Sequence, residues 1–271
     1  MTGRVAGKVA FITGAARGQG RSHAVRLAKE GADIIAVDIC SEIPDVPYSP
    51  ATSEDLKETV ALVEALDRRI IATEVDVRDL DALRWTVDRA VAELGHLDII
   101  VANAGVCIPA AWNAVTPQVF DETIEINVRG AWNTVMVGAP YLVEAGGGSV
   151  IIISSAAGLK VQPFMVPYTT SKFAVRGMAK AFAAELAKHH IRVNSVHPTG
   201  VNTAMMSEGL LAALNPAIEN DPRLGGMFTN LLPVDHTESE DISDTVLFLA
   251  SDESKYMTAH ELAPDAGVTE F

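Results

Sequence analysis

The sequence predicts an α/β fold in which one doubly wound parallel sheet is flanked by helices on both faces. Short apolar segments alternate with longer segments of helical periodicity, which is typical of repeated βαβ units. Several apolar segments lack polar–apolar alternation, as expected for strands that helices cover on both faces. The chain has 271 residues, of which 48% are hydrophobic, and no repeat or low-complexity linker divides it. We therefore expect a single domain over residues 1–271.

Strands and helices are predicted in alternation along the chain. The predicted strands are 9–13, 33–37, 70–75, 97–102, 149–153 and 191–196. The predicted helices are 18–30, 53–66, 80–94, 117–143, 168–189 and 238–249. The loops after parallel strands meet at one edge of the sheet, so functional residues are expected there.

Two segments interrupt this alternation. Residues 40–52 contain Pro44, Pro47 and Pro50, and proline disfavours both a helix interior and a central strand. We expect an ordered loop or flap there, with a flexible surface loop as the alternative. Residues 203–233 mix Leu and Met with proline and glycine after a predicted strand. This second segment is predicted to be irregular and is placed where a substrate lid could lie.

Composition disfavours several classes of function. There are 35 acidic and 21 basic residues, and the formal net charge of -14 disfavours contacts with nucleic acid or an anionic membrane surface. No uninterrupted apolar stretch reaches the roughly 20 residues of a membrane span. Cys40 and Cys107 cannot form a disulfide framework and lack the spacing of a zinc site. We therefore expect a protein of the reducing cytoplasm.

A glycine-rich turn follows the first predicted strand and opens the first predicted helix. Gly14 permits a tight turn, while Gly18 and Gly20 let the backbone and the helix start approach a pyrophosphate. Gln19 lies between those two glycines, and Arg17 could face a phosphate or be a solvated loop residue. A purely structural turn is the alternative. The position of the turn directly after a strand favours a Rossmann-like dinucleotide site.

The residue that ends the second strand supports the same interpretation. Asp38 stands where a carboxylate accepts hydrogen bonds from an adenosine ribose, although a buried capping residue is the alternative. Its charge would repel a 2′-phosphate, and neither Ile39 nor Cys40 supplies a compensating cation. The sequence therefore predicts NAD(H) rather than NADP(H).

A tyrosine and a lysine four residues apart indicate the chemistry. Tyr168 and Lys172 lie on one face of a predicted helix, about 6 Å apart along its axis, so they can share one site. An adjacent ammonium and an oxidised nicotinamide both favour the phenolate, which makes Tyr168 a usable general base. A tyrosine and a lysine four residues apart are common on exposed helices, so the pair alone does not indicate a catalytic site. Ser155, which follows the fifth predicted strand, is a third polar residue that supports one.

Together these motifs make the chain similar to the short-chain dehydrogenases/reductases over essentially its whole length. The residues that carry the resemblance are Thr13, Gly14, Gly18, Gly20, Asp76, Asn103, Ala104, Gly105, Asn127, Ser155, Tyr168, Lys172, Pro198 and Gly200. The family has a single Rossmann-like sheet and transfers a hydride between a nicotinamide cofactor and an alcohol or ketone, without a metal. The chain departs from the family pattern at Thr199 and at Ala259.

The resemblance also implies roles for individual residues. Ser155 would orient the substrate oxygen, and Asn127 would hold a water that continues a proton relay from Tyr168 through the cofactor ribose and Lys172. The implied cofactor contacts are Asp76 and Val77 at the adenine, Asn103 with Ala104 and Gly105 at the central sheet, Lys172 at the nicotinamide ribose, and Pro198, Gly200 and Val201 elsewhere along the cofactor. Thr203 would approach either the nicotinamide carboxamide or a cofactor phosphate. The family often assembles as a tetramer through helices that match 117–143 and 168–189.

A narrower resemblance is to the mycofactocin-associated, carveol-dehydrogenase-like branch from actinobacteria. It rests on the segments 38–48, 51–56 and 197–203. The branch implies that NAD(H) stays bound and is reoxidised in place by an external redox carrier, mycofactocin. A proline-stiffened flap could cover the adenosine half of the cofactor and slow its loss.

Apolar residues near the carboxyl ends of the strands form the predicted substrate pocket, although half of them could be ordinary core. They are Ile108, Trp112, Val161, Phe164, Met205, Met206 and Leu210. Their character favours a hydrophobic secondary alcohol, terpenoid or sterol-like, over a sugar or a charged acid. The alternative function is that of a non-catalytic NAD-binding regulator or scaffold of the same fold, because fold alone does not establish chemistry.

Overall fold

The computed structural model describes residues 3–270 and, within them, one sheet of seven parallel strands. Residues 1, 2 and 271 of the predicted domain lie outside the described residues. The strands are β1 (Val9–Thr13), β2 (Asp33–Asp38), β3 (Ile70–Glu74), β4 (Ile99–Ala102), β5 (Gly148–Ile153), β6 (Ile191–Val196) and β7 (Glu261–Leu262). Their order is β3-β2-β1-β4-β5-β6-β7, and ligands of doubly wound sheets bind where this order reverses, between β1 and β4. The predicted fold class is confirmed.

Helices connect the strands and cover both faces of the sheet. They are α1 (Gly18–Lys29), α2 (Ser53–Glu64), α3 (Leu80–Leu94), α4 (Pro117–Ile124), α5 (Gly130–Glu144), α6 (Val166–Leu186), α7 (Glu208–Asn220), α8 (Pro222–Gly225) and α9 (Ser239–Ala250). Local signals set some boundaries: the Thr52 side chain accepts a hydrogen bond from the Asp55 backbone at the start of α2, and Gly95 ends α3 with φ 101°. Among residues 3–270, no helix is both long and apolar enough to cross a membrane.

Alternate residues of each central strand pack against opposite helix layers. From β1, Ala10 and Ile12 join the core that also contains residues of α1 and α9, whereas Phe11 joins the core shared with α3, α5 and α6. All three side chains are fully buried. Burial of a large apolar side chain such as Ile12 or Phe11 stabilises the fold by roughly 1.5–3 kcal/mol. This two-sided burial explains why the strand sequences are apolar without alternation.

Two predicted segments differ in the structure. The helix predicted over 117–143 is interrupted by a π-helical turn at Glu125–Arg129, where the hydrogen bonds span one residue more than in an α-helix. The segment 203–233 is not irregular throughout, because α7 runs for 13 residues despite the internal Pro216. An internal proline removes a helical hydrogen bond. Burial of the leucines on the inner side of α7 offsets that loss.

Residues 40–52, which we call the flap, contain neither helix nor strand, as predicted for this segment. The Tyr48 hydroxyl accepts a hydrogen bond from the Cys107 backbone N–H at 3.1 Å. The Pro47 carbonyl lies against Gly209 near the start of α7, so closely that no side chain would fit at that position. The flap therefore contacts both the loop after β4 and the helix that follows β6.

A buried histidine links α1 to α9. His23 is fully buried, and its Nδ1 lies 2.8 Å from the Ser243 hydroxyl oxygen. Burial lowers the pKa of His23 to about 3, because a charged imidazole would lose its hydration there. His23 is therefore neutral in the folded chain near neutral pH.

We expect the free energy of unfolding to fall as the pH drops from about 6.5 towards 3, because the unfolded chain protonates His23 in that range and the folded chain does not. At a pH of about 5 the loss is about 2 kcal/mol. His23→Asn keeps a short polar group near Ser243 but cannot be protonated, so its profile in urea unfolding should be flatter by that amount. The exposed His260→Gln is the matched control. Equal slopes for His23→Asn and the unchanged protein would contradict this interpretation.

Candidate active site

A cavity of about 230 Å³, the first cavity, opens where β1, β2, β3 and β4 end. The predicted cofactor residues that line it are Gly14, Arg17, Gly18, Gln19, Gly20, Asp38, Asp76, Val77, Asn103, Ala104, Gly105 and Thr203. The flap forms one wall and contributes Tyr48 and Pro50 among its lining residues. The Arg17 guanidinium donates a hydrogen bond to the Ser49 carbonyl of the flap. Arg17 therefore anchors the flap to the glycine-rich turn.

Asp38 ends β2 and lines the first cavity. One carboxylate oxygen accepts a hydrogen bond from the Ala16 backbone N–H at 3.0 Å, and the other accepts one from the Cys40 backbone N–H at 3.1 Å. The residue is only 8% exposed. Each oxygen has a further lone pair, so the fixed carboxylate can also accept hydrogen bonds from ligand hydroxyls.

Asn103 and Asp76 support the cavity in different ways. The Asn103 amide nitrogen donates to the carbonyls of Thr13 at 2.9 Å and Gly14 at 3.2 Å, which ties the end of β4 to the turn after β1. Asp76 forms an ion pair with Arg78 at 2.6 Å. The Asp76 carboxylate is thus held at the cavity wall by a neighbouring cation.

A smaller second cavity, of about 90 Å³, adjoins the first and shares Gln19, Thr203 and Met205 with it. The predicted residues that line it are Gln19, Ser155, Tyr168, Pro198, Gly200, Val201, Thr203, Met205, Met206 and Leu210. Cys107 and Met165 also line it. The two cavities therefore bring the glycine-rich turn and the Tyr168 helix to one continuous site.

Four residues of the predicted substrate pocket line neither cavity. Trp112 and Val161 are 81% and 57% exposed. Ile108 is buried outside the cavities, and Phe164 packs against the apolar cluster beside the second cavity. Placement at a strand end identifies the correct loop but not which of two adjacent side chains points into the site.

Three residues of the cavity walls carry little sequence signal. Cys107 and Met165 each stand one position from a predicted pocket residue, and their sulfur atoms lie 3.7 Å apart. Tyr48 comes from the flap, yet it packs against the same apolar cluster as Leu210. Proline content predicts a stiff loop there but says nothing about where the loop places a tyrosine.

The structure brings Tyr168 and Lys172 together on α6, as their spacing predicts. Lys172 Nζ lies 5.4 Å from the centroid of the Tyr168 ring and donates a hydrogen bond to the Ile153 carbonyl at 3.0 Å. Lys172 is only 5% exposed. The Ser155 hydroxyl, which accepts a hydrogen bond from the Ala157 backbone N–H at 3.1 Å, lies near the Tyr168 phenol. Tyr168, Lys172 and Ser155 therefore share one buried neighbourhood at the end of β5.

The π-helical turn places Asn127 beside this group. The Asn127 amide nitrogen donates to the Val106 carbonyl at 2.9 Å and to the Ser171 hydroxyl at 3.0 Å. Its amide oxygen accepts from the Val106 N–H at 2.8 Å. A Cβ on Gly105 would lie 3.1 Å from that oxygen and 3.6 Å from Lys172 Nζ, so glycine keeps the space between the two side chains open.

His197 holds the backbone of Ser155. Its Nδ1 lies 2.9 Å from the Ser155 carbonyl oxygen, and its Nε2 lies 2.8 Å from the Ser195 hydroxyl oxygen. Burial lowers the pKa of His197 to about 4, so the ring is neutral near neutral pH. Because a carbonyl can only accept, Nδ1 carries the proton and Nε2 accepts from Ser195.

Burial opposes the charged forms of both Tyr168 and Lys172. It raises the pKa of the Tyr168 phenol well above its usual range, and the nearby Ser155 hydroxyl only partly offsets this effect. It lowers the pKa of the Lys172 ammonium to about 8. The expectation that the adjacent lysine favours the phenolate therefore does not describe the dominant effect in the protein without a ligand.

Comparisons with known proteins agree with this geometry. The family model for short chain dehydrogenases matches residues 8–210. The chain is 44% identical to (-)-trans-carveol dehydrogenase of Rhodococcus erythropolis, over 98% of this chain and 99% of that protein. A short chain dehydrogenase from Mycobacterium paratuberculosis bound to NAD has a TM-score of 0.98 and 60% identity, over 99% of this chain and 100% of that chain. Carveol dehydrogenase from Mycobacterium avium in complex with NAD has a TM-score of 0.94 and 48% identity, over 100% of both chains. On its sequence and its structure, the chain belongs to the short-chain dehydrogenase family.

Proposed function

We propose that this protein is an NAD-dependent dehydrogenase that interconverts a hydrophobic secondary alcohol and its ketone. The observation that carries the proposal is the junction of the two cavities, because it joins the glycine-rich turn to the side chains of Ser155 and Tyr168. Relatives named carveol dehydrogenase, at 44% and 48% identity, support a cyclic terpenoid alcohol as the substrate class.

The residues of the first cavity suit NAD(H). The start of α1 offers backbone N–H groups to a pyrophosphate, and the Asp38 carboxylate is held ready for ribose hydroxyls. A 2′-phosphate would meet the Asp38 charge, while Ile39 and Cys40 offer no cation. The NAD-bound relative at 60% identity supports this choice. When bound, the nicotinamide supplies the hydride acceptor or donor.

The residues at the second cavity supply the proton chemistry. In the oxidation direction, Tyr168 takes the proton from the alcohol oxygen while the carbinol carbon gives up a hydride, which leaves a ketone. Ser155 orients the substrate oxygen through a hydrogen bond. Lys172 and Asn127 continue the route by which the proton leaves Tyr168. In the reduction direction, Tyr168 gives its proton to the ketone oxygen as the carbon accepts the hydride.

The charge near Tyr168 determines whether its side chain accepts a proton or donates one. Burial raises the pKa of the Tyr168 phenol in the protein alone. A positive charge nearby favours the phenolate, so Tyr168 is a base beside an oxidised nicotinamide and an acid beside a reduced one. Lys172 adds positive charge while it remains protonated, below a pH of about 8.

The walls of the second cavity support an apolar substrate. Met165, Met205, Met206 and Leu210 line it, and no charged side chain does so among the residues that the structure describes, which favours an apolar substrate over a charged acid. Methionine side chains adapt to irregular hydrocarbon shapes, which suits a cyclic terpenoid or a sterol-like molecule.

The flap supports a cofactor that leaves slowly. It lines the first cavity and is anchored through Arg17, through Cys107 and against Gly209. We propose that NAD(H) stays bound through catalytic cycles and that an external redox carrier, mycofactocin, reoxidises it in place. The two cysteines are free thiols, which fits a reducing cytoplasm.

We also propose that the protein is a homotetramer assembled through α4, α5 and α6. These helices expose large apolar side chains in the single chain. They include Phe120, Trp132, Met136 and Phe173. Exposed apolar residues grouped on neighbouring helices favour burial against a second copy of the chain.

Tyr168→Phe keeps the ring but removes the proton carrier, so we expect kcat with a cyclic secondary alcohol to fall by about 100-fold or more. NAD binding should remain. Steady-state kinetics and a nucleotide-binding titration measure the two effects separately. Tyr256→Phe, on an exposed tyrosine, is the control and should leave kcat unchanged. Full turnover by Tyr168→Phe would favour the regulator or scaffold function instead.

Asp38→Asn removes the charge that opposes a 2′-phosphate, so the preference for NAD over NADP should fall by about tenfold, or about 1.4 kcal/mol. Binding of both nucleotides is measured by calorimetry, and the melting temperature is followed because Asp38 also accepts hydrogen bonds from Ala16 and Cys40. The matched control is Asp45→Asn, since Asp45 is exposed and its φ of 60° suits asparagine. An unchanged ratio of the two affinities would remove this role from Asp38.

Replacement of residues 42–49 by a short Gly-Ser linker removes the hydrogen bonds that anchor the flap. Two lost hydrogen bonds amount to about 2 kcal/mol. We therefore expect NAD(H) to dissociate at least about tenfold faster. Stopped-flow dilution of NADH-loaded protein, followed by fluorescence, measures the release rate. Asp45→Asn, which keeps the flap contacts, should behave as the unchanged protein. Unchanged protein that loses all its NAD(H) on one desalting column would contradict slow release.

A further inference from the structure

The junction between the two cavities is formed by three residues, Gln19, Thr203 and Met205. Under the proposed function, a dinucleotide in the first cavity would exchange a hydride with a substrate in the second across this junction. These three side chains would then be the ones nearest to its nicotinamide. The hydrogen bonds that these three side chains already make show which of them is free to bind the nicotinamide.

Gln19 carries the unmet hydrogen-bonding group at the junction. Its Oε1 is buried and has no hydrogen-bond partner among the residues that the structure describes. The Thr203 hydroxyl, in contrast, already donates to the Val201 carbonyl at 3.3 Å, and Met205 has no donor group. A buried polar atom without a partner is destabilising, so the Gln19 amide is expected to find its partner in a ligand.

Close packing restrains the backbone around Gln19. A Cβ on Gly20 would lie 1.9 Å from the Gly14 carbonyl oxygen, and one on Gly18 would lie 3.2 Å from Thr203 Cγ2. Rotation of the Gln19 side chain, rather than movement of the backbone, would therefore bring its amide to a partner in the space that the two cavities share.

We propose that Gln19 is a positioning residue whose side-chain amide hydrogen-bonds the carboxamide group of the bound nicotinamide. A carboxamide carries both an N–H donor and a carbonyl acceptor, so it can pair with the Gln19 amide in either rotation of that amide. The contact would limit rotation of the ring about its bond to the ribose. It would thereby hold the hydride-bearing carbon towards Tyr168. The proposal rests on the proposed use of NAD, and not on the identity of the alcohol.

The test compares ligands that differ only at the nicotinamide. Gln19→Met preserves the length of the side chain and removes its amide. Nucleotide-free protein is titrated calorimetrically with NAD, with acetylpyridine adenine dinucleotide, which lacks the amide N–H groups, and with ADP-ribose, which lacks the whole ring. We expect Gln19→Met to bind NAD about 5–10-fold more weakly and ADP-ribose unchanged, as for the loss of one hydrogen bond of about 1 kcal/mol. The unchanged protein should prefer NAD to the acetylpyridine analogue more strongly than Gln19→Met does.

Each other outcome contradicts the proposal. Equal weakening of NAD and ADP-ribose would assign Gln19 to the pyrophosphate or to the helix start, and no weakening of either would leave its amide without a role in binding. Gln19→Leu serves as a second variant if Gln19→Met does not fold. Alcohol turnover by the unchanged protein is measured separately, so a failure of the proposed substrate class would not affect this result.

Discussion

The properties of this site depend on the desolvation of two ionisable side chains, Tyr168 and Lys172. Lys172 is buried and Tyr168 is partly buried where β5 ends, and this burial disfavours the charged form of each side chain. Their mutual proximity does not overcome this effect in the protein alone, where the pKa of the phenol is raised and that of the ammonium is lowered to about 8. In the proposed mechanism, a further positive charge makes Tyr168 a base. An oxidised nicotinamide would supply that charge, which would couple the protonation of Tyr168 to the redox state of the cofactor.

The rest of the fold holds this pair in place from three neighbouring strand ends. The loop after β4 brings Gly105, the end of β5 provides the carbonyl that accepts from Lys172, and His197 after β6 fixes the Ser155 backbone. A π-helical turn adds Asn127 from the opposite side. Parallel strands end at one edge of the sheet, so four segments distant in sequence meet there. The flap adds Tyr48 to the wall of the first cavity, and α7 adds Leu210 to the wall of the second.

Periodicity and local motifs predicted the sheet, the glycine-rich turn and the cavity position of Asp38, because each depends on residues that are close together in the chain. The spacing of Tyr168 and Lys172 was sufficient to place them on one helix face. Features that depend on packing were not predicted. The π-helical turn follows no compositional signal, and α7 forms around Pro216 because its apolar face is buried. Tyr48 reaches the first cavity and the apolar cluster that contains Leu210 only because of the path of the flap. Trp112 was predicted in the pocket from its apolar character, yet it is 81% exposed.

The most direct test is a tyrosinate absorbance titration of the protein loaded with oxidised or reduced NAD, with Tyr168→Phe measured in parallel and subtracted. We predict that Tyr168 ionises at a lower pH in the oxidised complex than in the reduced complex, and that its pKa in the reduced complex lies above the usual value of about 10. The same pKa in both complexes would contradict the central claim, because Tyr168 would then ionise independently of the charge on the nicotinamide.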